Sequence, residues 1–152
     1  MAALKQRITD EMKAALLGGN RFRGDVLRNC KAALLNEEVA LGKRDEGLSD
    51  AEIEVVLARE VKKRLESAAM YRDNGRAELA EPEEAEAAIL REFLPKQLDE
   101  AELTALIQQV ISDMGGASLQ QMGRVIGAVK AKAGTSADGT IVAGLVKKIL
   151  SE

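Results

Sequence analysis

The sequence predicts an all-α protein in which an N-terminal helical bundle is followed by a three-helix domain. Hydrophobic residues make up 46% of the 152 residues but aromatic residues only 2%, so any core must be built from aliphatic side chains and alanine. Apolar residues recur at helical spacing, and no run of short alternating strands occurs. These observations favour helices packed on one another over a sheet sandwich.

Residues 92–98, with the sequence EFLPKQL, divide the chain. Pro95 must end the helix that runs into it, and Asp99 with Glu102 forms a capping box for the next helix. We therefore predict two domains, residues 1–94 and residues 95–152. Because Phe93 and Leu94 are apolar, we expect both to be buried between the domains as a stiff joint rather than a flexible linker.

Seven helices are expected, four before the joint and three after it. The first covers about residues 3–17, the second about residues 25–41, and the third starts after the capping box of Ser49 and Glu52. Pro82 suits the first turn of the fourth helix. Ser118 with Gln121 caps the sixth helix, and the seventh starts near Asp138.

The composition also predicts the cellular compartment of the protein. A single cysteine, Cys30, excludes an internal disulfide and fits a reducing cytoplasm. No apolar run approaches 18 residues and no signal peptide is recognisable. We predict a soluble, cytoplasmic protein without membrane association; its oligomeric state stays open.

Histidine is absent from the sequence, which excludes Ser-His and Cys-His nucleophile pairs and histidine zinc sites. Cys30 lies on an apolar helical stripe and is interpreted as a buried structural thiol. The cluster of glutamates at 81, 83, 84 and 86 could hold a hard cation, but compensation of a helix dipole explains it more simply. We predict no catalytic residue, no metal site and no cofactor.

Two features have both a structural and a functional interpretation. Glu60 and Arg64, one turn apart on the third helix, are interpreted as an ion pair, with a functional surface as the alternative. Gly123 and Gly127 lie in the interior of the sixth helix, where each glycine costs about 1 kcal/mol relative to alanine. Either a neighbouring helix packs against this bare backbone, or the glycines and Lys130 form a smooth groove for a phosphate backbone.

Several segments together resemble the bacterial YqeY family. They run in order along nearly the whole chain, at residues 27–28, 31–34, 59–64, 74–76, 93–98, 122–127 and 137–139. From the joint onward, the chain also resembles the C-terminal tail of the GatB subunit of the glutamine-dependent aspartyl/glutamyl-tRNA amidotransferase. That tail is a small helical module that contacts tRNA.

The resemblance implies a non-catalytic binding module for tRNA or an RNA-associated partner. One alternative is an accessory component of a glutamine-dependent amidotransferase, because the family is associated with carbon-nitrogen ligase activity that uses glutamine as amido donor. A second alternative is a protein interaction module without RNA contact. The large catalytic body of the GatB subunit has no counterpart in this sequence, so the resemblance transfers recognition and no catalysis.

The residues from 115 onward contain five cations and two carboxylates, a balance of +3. We expect the cations to contact phosphates: Arg124, Lys130, Lys132, Lys147 and Lys148. Gly123, Gly127 and Gly139 are the expected positions of close approach. Since this region has no aromatic residue on which bases could stack, we predict weak, salt-sensitive binding of structured tRNA with little sequence preference.

Overall fold

The computed structural model describes residues 2–152, so Met1, the first residue of the predicted N-terminal domain, lies outside the described part. The described residues contain no strand, which confirms the all-α prediction. The helices are α1 (Ala3–Leu17), α2 (Arg21–Ala40), α3 (Asp50–Asp73), α4 (Ala77–Arg91), α5 (Glu100–Asp113), α6 (Met122–Ala133) and α7 (Gly139–Leu150). Short 3-10 turns cover Leu119–Gln121 and Gly134–Ser136. Within residues 2–152, no helix is both long enough and apolar enough to cross a bilayer.

The chain forms two compact units, which meet in sequence between Leu94 and Pro95. Helices α1 to α4 form the first unit, in which α1 packs on α2 and α3 packs along α4. Its core is aliphatic apart from Cys30 and Phe93. Helices α5 to α7 form the second unit around a core of Leu103, Ile107, Val110, Val125, Val129, Val142 and Val146.

Phe93 is only 3% exposed and belongs to the core of the first unit. Its burial is as predicted, and the buried residues that it packs with belong to the first unit. The backbone N–H of Phe93 donates to the carbonyl of Leu90, 3.2 Å away, so the last turn of α4 continues and points Phe93 to the same inner face as Leu90. Leu94 is half-buried against this core. The stiffness of the joint stays a prediction.

Ion pairs between helices tie the end of α4 to α1 and α2. Arg23 of α2 contacts Glu92 at 2.5 Å and Glu11 of α1 at 3.1 Å. Within α1, Glu11 also pairs with Arg7 at 2.9 Å. The Arg7 guanidinium also lies 4.5 Å from the centroid of the Phe93 ring. These contacts hold the last turn of α4 against the rest of the first unit.

A second polar contact in the first unit is buried. Lys5 of α1 reaches Glu38 of α2 at 2.6 Å, and the Glu38 side chain is only 4% exposed. Burying a carboxylate without a partner would be costly. The Lys5 ammonium therefore compensates the one charged side chain that is buried in the described residues.

Two helices begin earlier than predicted. α2 starts at Arg21 because the side chain of Asn20 accepts a hydrogen bond from the backbone N–H of Arg23, at 3.2 Å. α4 starts at Ala77, so Pro82 lies inside this helix and not in its first turn. The missing N–H of Pro82 removes one intrahelical bond, and the helix tolerates that loss close to its start.

Candidate nucleic-acid interface

The predicted RNA-binding residues lie on α6 and α7 of the second unit. The capping pattern of Ser118 and Gln121 is present, with the backbone N–H of Ser118 donating to Gln121 Oε1 at 2.9 Å. It precedes a 3-10 turn, and α6 proper begins at Met122. Asp138 caps α7 by accepting hydrogen bonds from the N–H groups of Thr140 and Ile141, at 2.7 and 3.3 Å.

Apolar packing orients both helices. Val125 and Val129 of α6, with Val142 and Val146 of α7, are completely buried. Side chains on the opposite side of each helix must therefore face solvent. All five predicted cations are exposed: Arg124, Lys130, Lys132, Lys147 and Lys148.

The five cations differ in their partners. Lys132 lies 3.5 Å from Asp113 of α5, an ion pair in which both side chains are about half exposed. Sequence reasoning missed this pair, since nothing in the spacing of residues 113 and 132 indicates a contact between α5 and α6. Within residues 2–152, the other four cations form no ion pair. They are therefore available to an external anion.

Gly123 and Gly127 lie on the solvent-facing side of α6. A Cβ atom added to either glycine would meet no described atom within 4 Å, so the prediction that a neighbouring helix packs against them is wrong for the described chain. Val125 and Val129 already present the inner face, and the helical repeat places both glycines outward. The structure thus has a smooth, open strip of backbone between the side chains of Arg124 and Lys130.

Gly139 has a different environment. A Cβ atom at Gly139 would lie 3.2 Å from Nζ of Lys130 and 3.3 Å from its Cε. The Lys130 side chain thus reaches from α6 to the first residue of α7. The absence of a side chain at Gly139 leaves room for this ammonium group beside the N-terminus of α7.

The charges of the second unit are unequally distributed among its helices. α5 carries acidic residues and no lysine or arginine, whereas the five predicted cations lie on α6 and α7. The two carboxylates after residue 114 are Asp138, which is engaged as a cap, and Glu152 at the chain end. Among the three helices of the second unit, lysine and arginine therefore occur on α6 and α7.

The first unit contains the other candidates raised by the sequence. The ion pair of Glu60 and Arg64 is confirmed, at 3.8 Å, and Arg64 also contacts Glu86 of α4 at 3.2 Å. These residues line a polar cleft of about 260 Å³ between α3 and α4. Cys30 is buried as predicted, and burial raises the pKa of its thiol to about 12. In residues 2–152, no three acidic or cysteine side chains converge as metal ligands would.

A family model described as Yqey-like protein matches residues 5–150. The chain belongs to the YqeY family. The match covers both units of this YqeY protein, so neither unit is an addition to the family fold. A comparison of the YqeY chain with curated proteins finds no match.

Proposed function

We propose that this YqeY protein is a non-catalytic tRNA-binding module whose second unit contacts the phosphate backbone. The observation that carries the proposal is the set of exposed cations without an ion pair on α6 and α7: Arg124, Lys130, Lys147 and Lys148. Phosphate contacts contribute much of the affinity of proteins for nucleic acids, and each contact requires a cation that is free to displace the counterions condensed on the phosphates.

The open backbone strip of α6 supports a close approach of this polyanion. Gly123 and Gly127 present no side chain, and they lie between the side chains of Arg124 and Lys130. A sugar-phosphate strand can approach a bare helix surface more closely than one covered by side chains, and it would then have a cation on either side.

The position of Lys130 also supports binding of a phosphate. Its ammonium lies beside the N-terminus of α7, at the space left by Gly139, and the helix dipole favours negative charge at that end. A phosphate at this position would be attracted by the Lys130 ammonium, while the Asp138 carboxylate occupies the N–H groups of Thr140 and Ile141. Lys130 is therefore the cation whose loss should weaken binding most.

The same surface determines what kind of RNA is bound. The three aromatic residues of the chain are Phe22, Tyr71 and Phe93, and all belong to the first unit. Without an aromatic platform, the second unit cannot hold unstacked bases in the manner of single-strand binders. Recognition by backbone and shape fits a folded RNA such as tRNA.

A salt titration tests the proposal. Four phosphate contacts predict that log K falls with log salt with a slope of about 3 to 4. Replacing Lys130 and Lys132 with glutamate should abolish detectable tRNA binding at moderate salt, because the Lys130 contact becomes repulsive and the glutamate at position 132 adds a second carboxylate beside Asp113. Binding is measured by fluorescence anisotropy with labelled tRNA, after nuclease treatment of the protein.

Arg44 and Lys62 provide a matched control, because both are exposed in the first unit and replacement by glutamate changes the net charge equally. This control should retain the affinity and slope of the unmodified protein. Equal loss in both double variants would show an effect of net charge alone. Absence of tRNA binding at low salt would refute the proposal and direct the search to a protein partner, with a component of an amidotransferase as the first to test.

A further inference from the structure

The turn between α1 and α2 exposes an unusual group of apolar side chains. Leu17, the last residue of α1, is 90% exposed, and Leu16 and Phe22 are each close to half exposed. Residues 12–24 include three cations, at positions 13, 21 and 23, and no carboxylate. We call Lys13, Leu16, Leu17, Arg21 and Phe22 the basic turn.

Backbone hydrogen bonds at the end of α1 hold the basic turn in its exposed position. The N–H groups of Gly18 and Asn20 donate to the carbonyls of Ala14 and Ala15, each at 2.9 Å. Leu17 is therefore held outward by a hydrogen-bonded helix end, and it contributes almost nothing to the core. One exposed apolar side chain is ordinary, but a group of three such as Leu16, Leu17 and Phe22 is typical of a contact surface.

The end of the α3–α4 hairpin has the opposite charge. Residues 73–86 contain six carboxylates and one arginine. Three of the carboxylates are engaged within the unit, Glu78 by Arg76, Glu84 by Arg72 and Glu86 by Arg64. Asp73 and Glu81 are exposed and form no ion pair in the described part of the chain. Met70 and Leu79 expose apolar surface beside them, and we call these four residues the acidic turn.

We propose that the basic turn of one copy docks on the acidic turn of a second copy of this chain. Each surface combines exposed apolar side chains with exposed charges that form no ion pair shorter than 3.8 Å within residues 2–152. The closest partner of Arg21 is Asp25, at 3.8 Å with the Arg21 side chain 87% exposed, and Lys13 forms no ion pair within residues 2–152. Charge complementarity therefore favours contact between the two turns.

The symmetry of the contact follows from the presence of both turns in every copy. If two copies exchange the contact reciprocally, a two-fold dimer closes and no free turn is left. Because the contact depends on exposed charges, it should weaken as salt screens them.

Sedimentation velocity tests the proposal with the full chain. At low salt and increasing concentration, the unmodified protein should shift from the mass of one chain, 16.3 kDa, towards twice that mass. The variant Lys13→Glu/Arg21→Glu carries two acidic turns and should remain monomeric. The variant Asp73→Lys/Glu81→Lys carries two basic turns and should also remain monomeric.

Mixing these two variants is the decisive experiment. One copy then has only acidic turns and the other only basic turns, so an equimolar mixture should dimerise although neither variant does so alone. Arg44→Glu/Lys62→Glu should dimerise like the unmodified protein. The change Leu17→Ser should weaken association without lowering the midpoint of thermal unfolding.

The proposal is overturned if the unmodified protein stays monomeric over the whole concentration series. It is equally overturned if both charge-reversed variants still dimerise, or if their mixture stays monomeric. All substituted positions are exposed, and circular dichroism verifies that each variant keeps its helical content before sedimentation.

Discussion

Replacing Phe93 with alanine should strongly destabilise the first unit. The side chain is almost completely buried among residues of α1 to α4. Truncation would leave a cavity at the end of α4, next to the ion pairs of Arg23 and Glu92.

The expected loss has two contributions. Deletion of a fully buried phenylalanine side chain typically costs about 3 to 5 kcal/mol. The contact of the ring with the half-exposed Arg7 guanidinium adds about 0.5 to 1 kcal/mol. For a unit of this size, even about 3 kcal/mol corresponds to a decrease of at least about 12 °C in the midpoint of thermal unfolding.

The single tyrosine makes the measurement specific. Tyr71 lies in α3, and the second unit contains neither tyrosine nor tryptophan. Tyrosine fluorescence during urea unfolding therefore reports the first unit, while far-ultraviolet circular dichroism reports the helices of both. The free energy of unfolding should decrease in the fluorescence transition.

Phe22→Ala is the matched control, because the same chemical change occurs at a side chain that is 46% exposed. It should change the free energy of unfolding by less than about 1 kcal/mol. If Phe93→Ala had no larger effect than Phe22→Ala, the assignment of Phe93 to the core of the first unit would be refuted.

Two further predictions follow from the second unit and from α2. Gly127→Ala should stabilise the second unit by about 0.5 to 1 kcal/mol in thermal or urea unfolding, because the added Cβ meets no atom and alanine favours the helix; destabilisation would reveal an unseen contact. Cys30 should react with a thiol reagent at neutral pH only when the first unit opens, since burial keeps its thiol protonated. Its pKa is raised from 9.0 to about 12, so its contribution to stability is fully present below pH 9 and is lost as the pH rises towards 12. Cys30→Ser should reduce this alkaline loss in a series of urea titrations.

Helix capping explains which parts of the fold were predictable. The pairs Ser49 with Glu52 and Asp99 with Glu102 form reciprocal capping boxes, and α3 and α5 start where these patterns place them. α4 has no such side-chain cap at its start. The sequence prediction places its start too late because it rests on Pro82 and the glutamates beside it, whereas α4 begins at Ala77, directly after the turn that follows α3.

On α6 and α7, too, some features were predictable from the sequence and others were not. Hydrophobic periodicity correctly predicts that the cations of α6 and α7 are exposed, because it identifies the valines that face the core. Periodicity cannot predict what approaches the other side of a helix, and for this reason it left two interpretations of Gly123 and Gly127 open. Of these, close packing by a neighbouring helix does not occur within the described residues. The contacts of Lys132 with Asp113 and of Arg64 with Glu86 join different helices, so only the folded chain reveals them.

The buried pair of Lys5 and Glu38 restricts how this sequence can diverge. A change of Lys5 alone would leave the Glu38 carboxylate without its ammonium partner, a kind of loss that typically costs about 3 to 5 kcal/mol. A change of both residues to apolar ones can be neutral or stabilising. Positions 5 and 38 should therefore covary among homologues, with either a lysine-glutamate pair or two apolar residues.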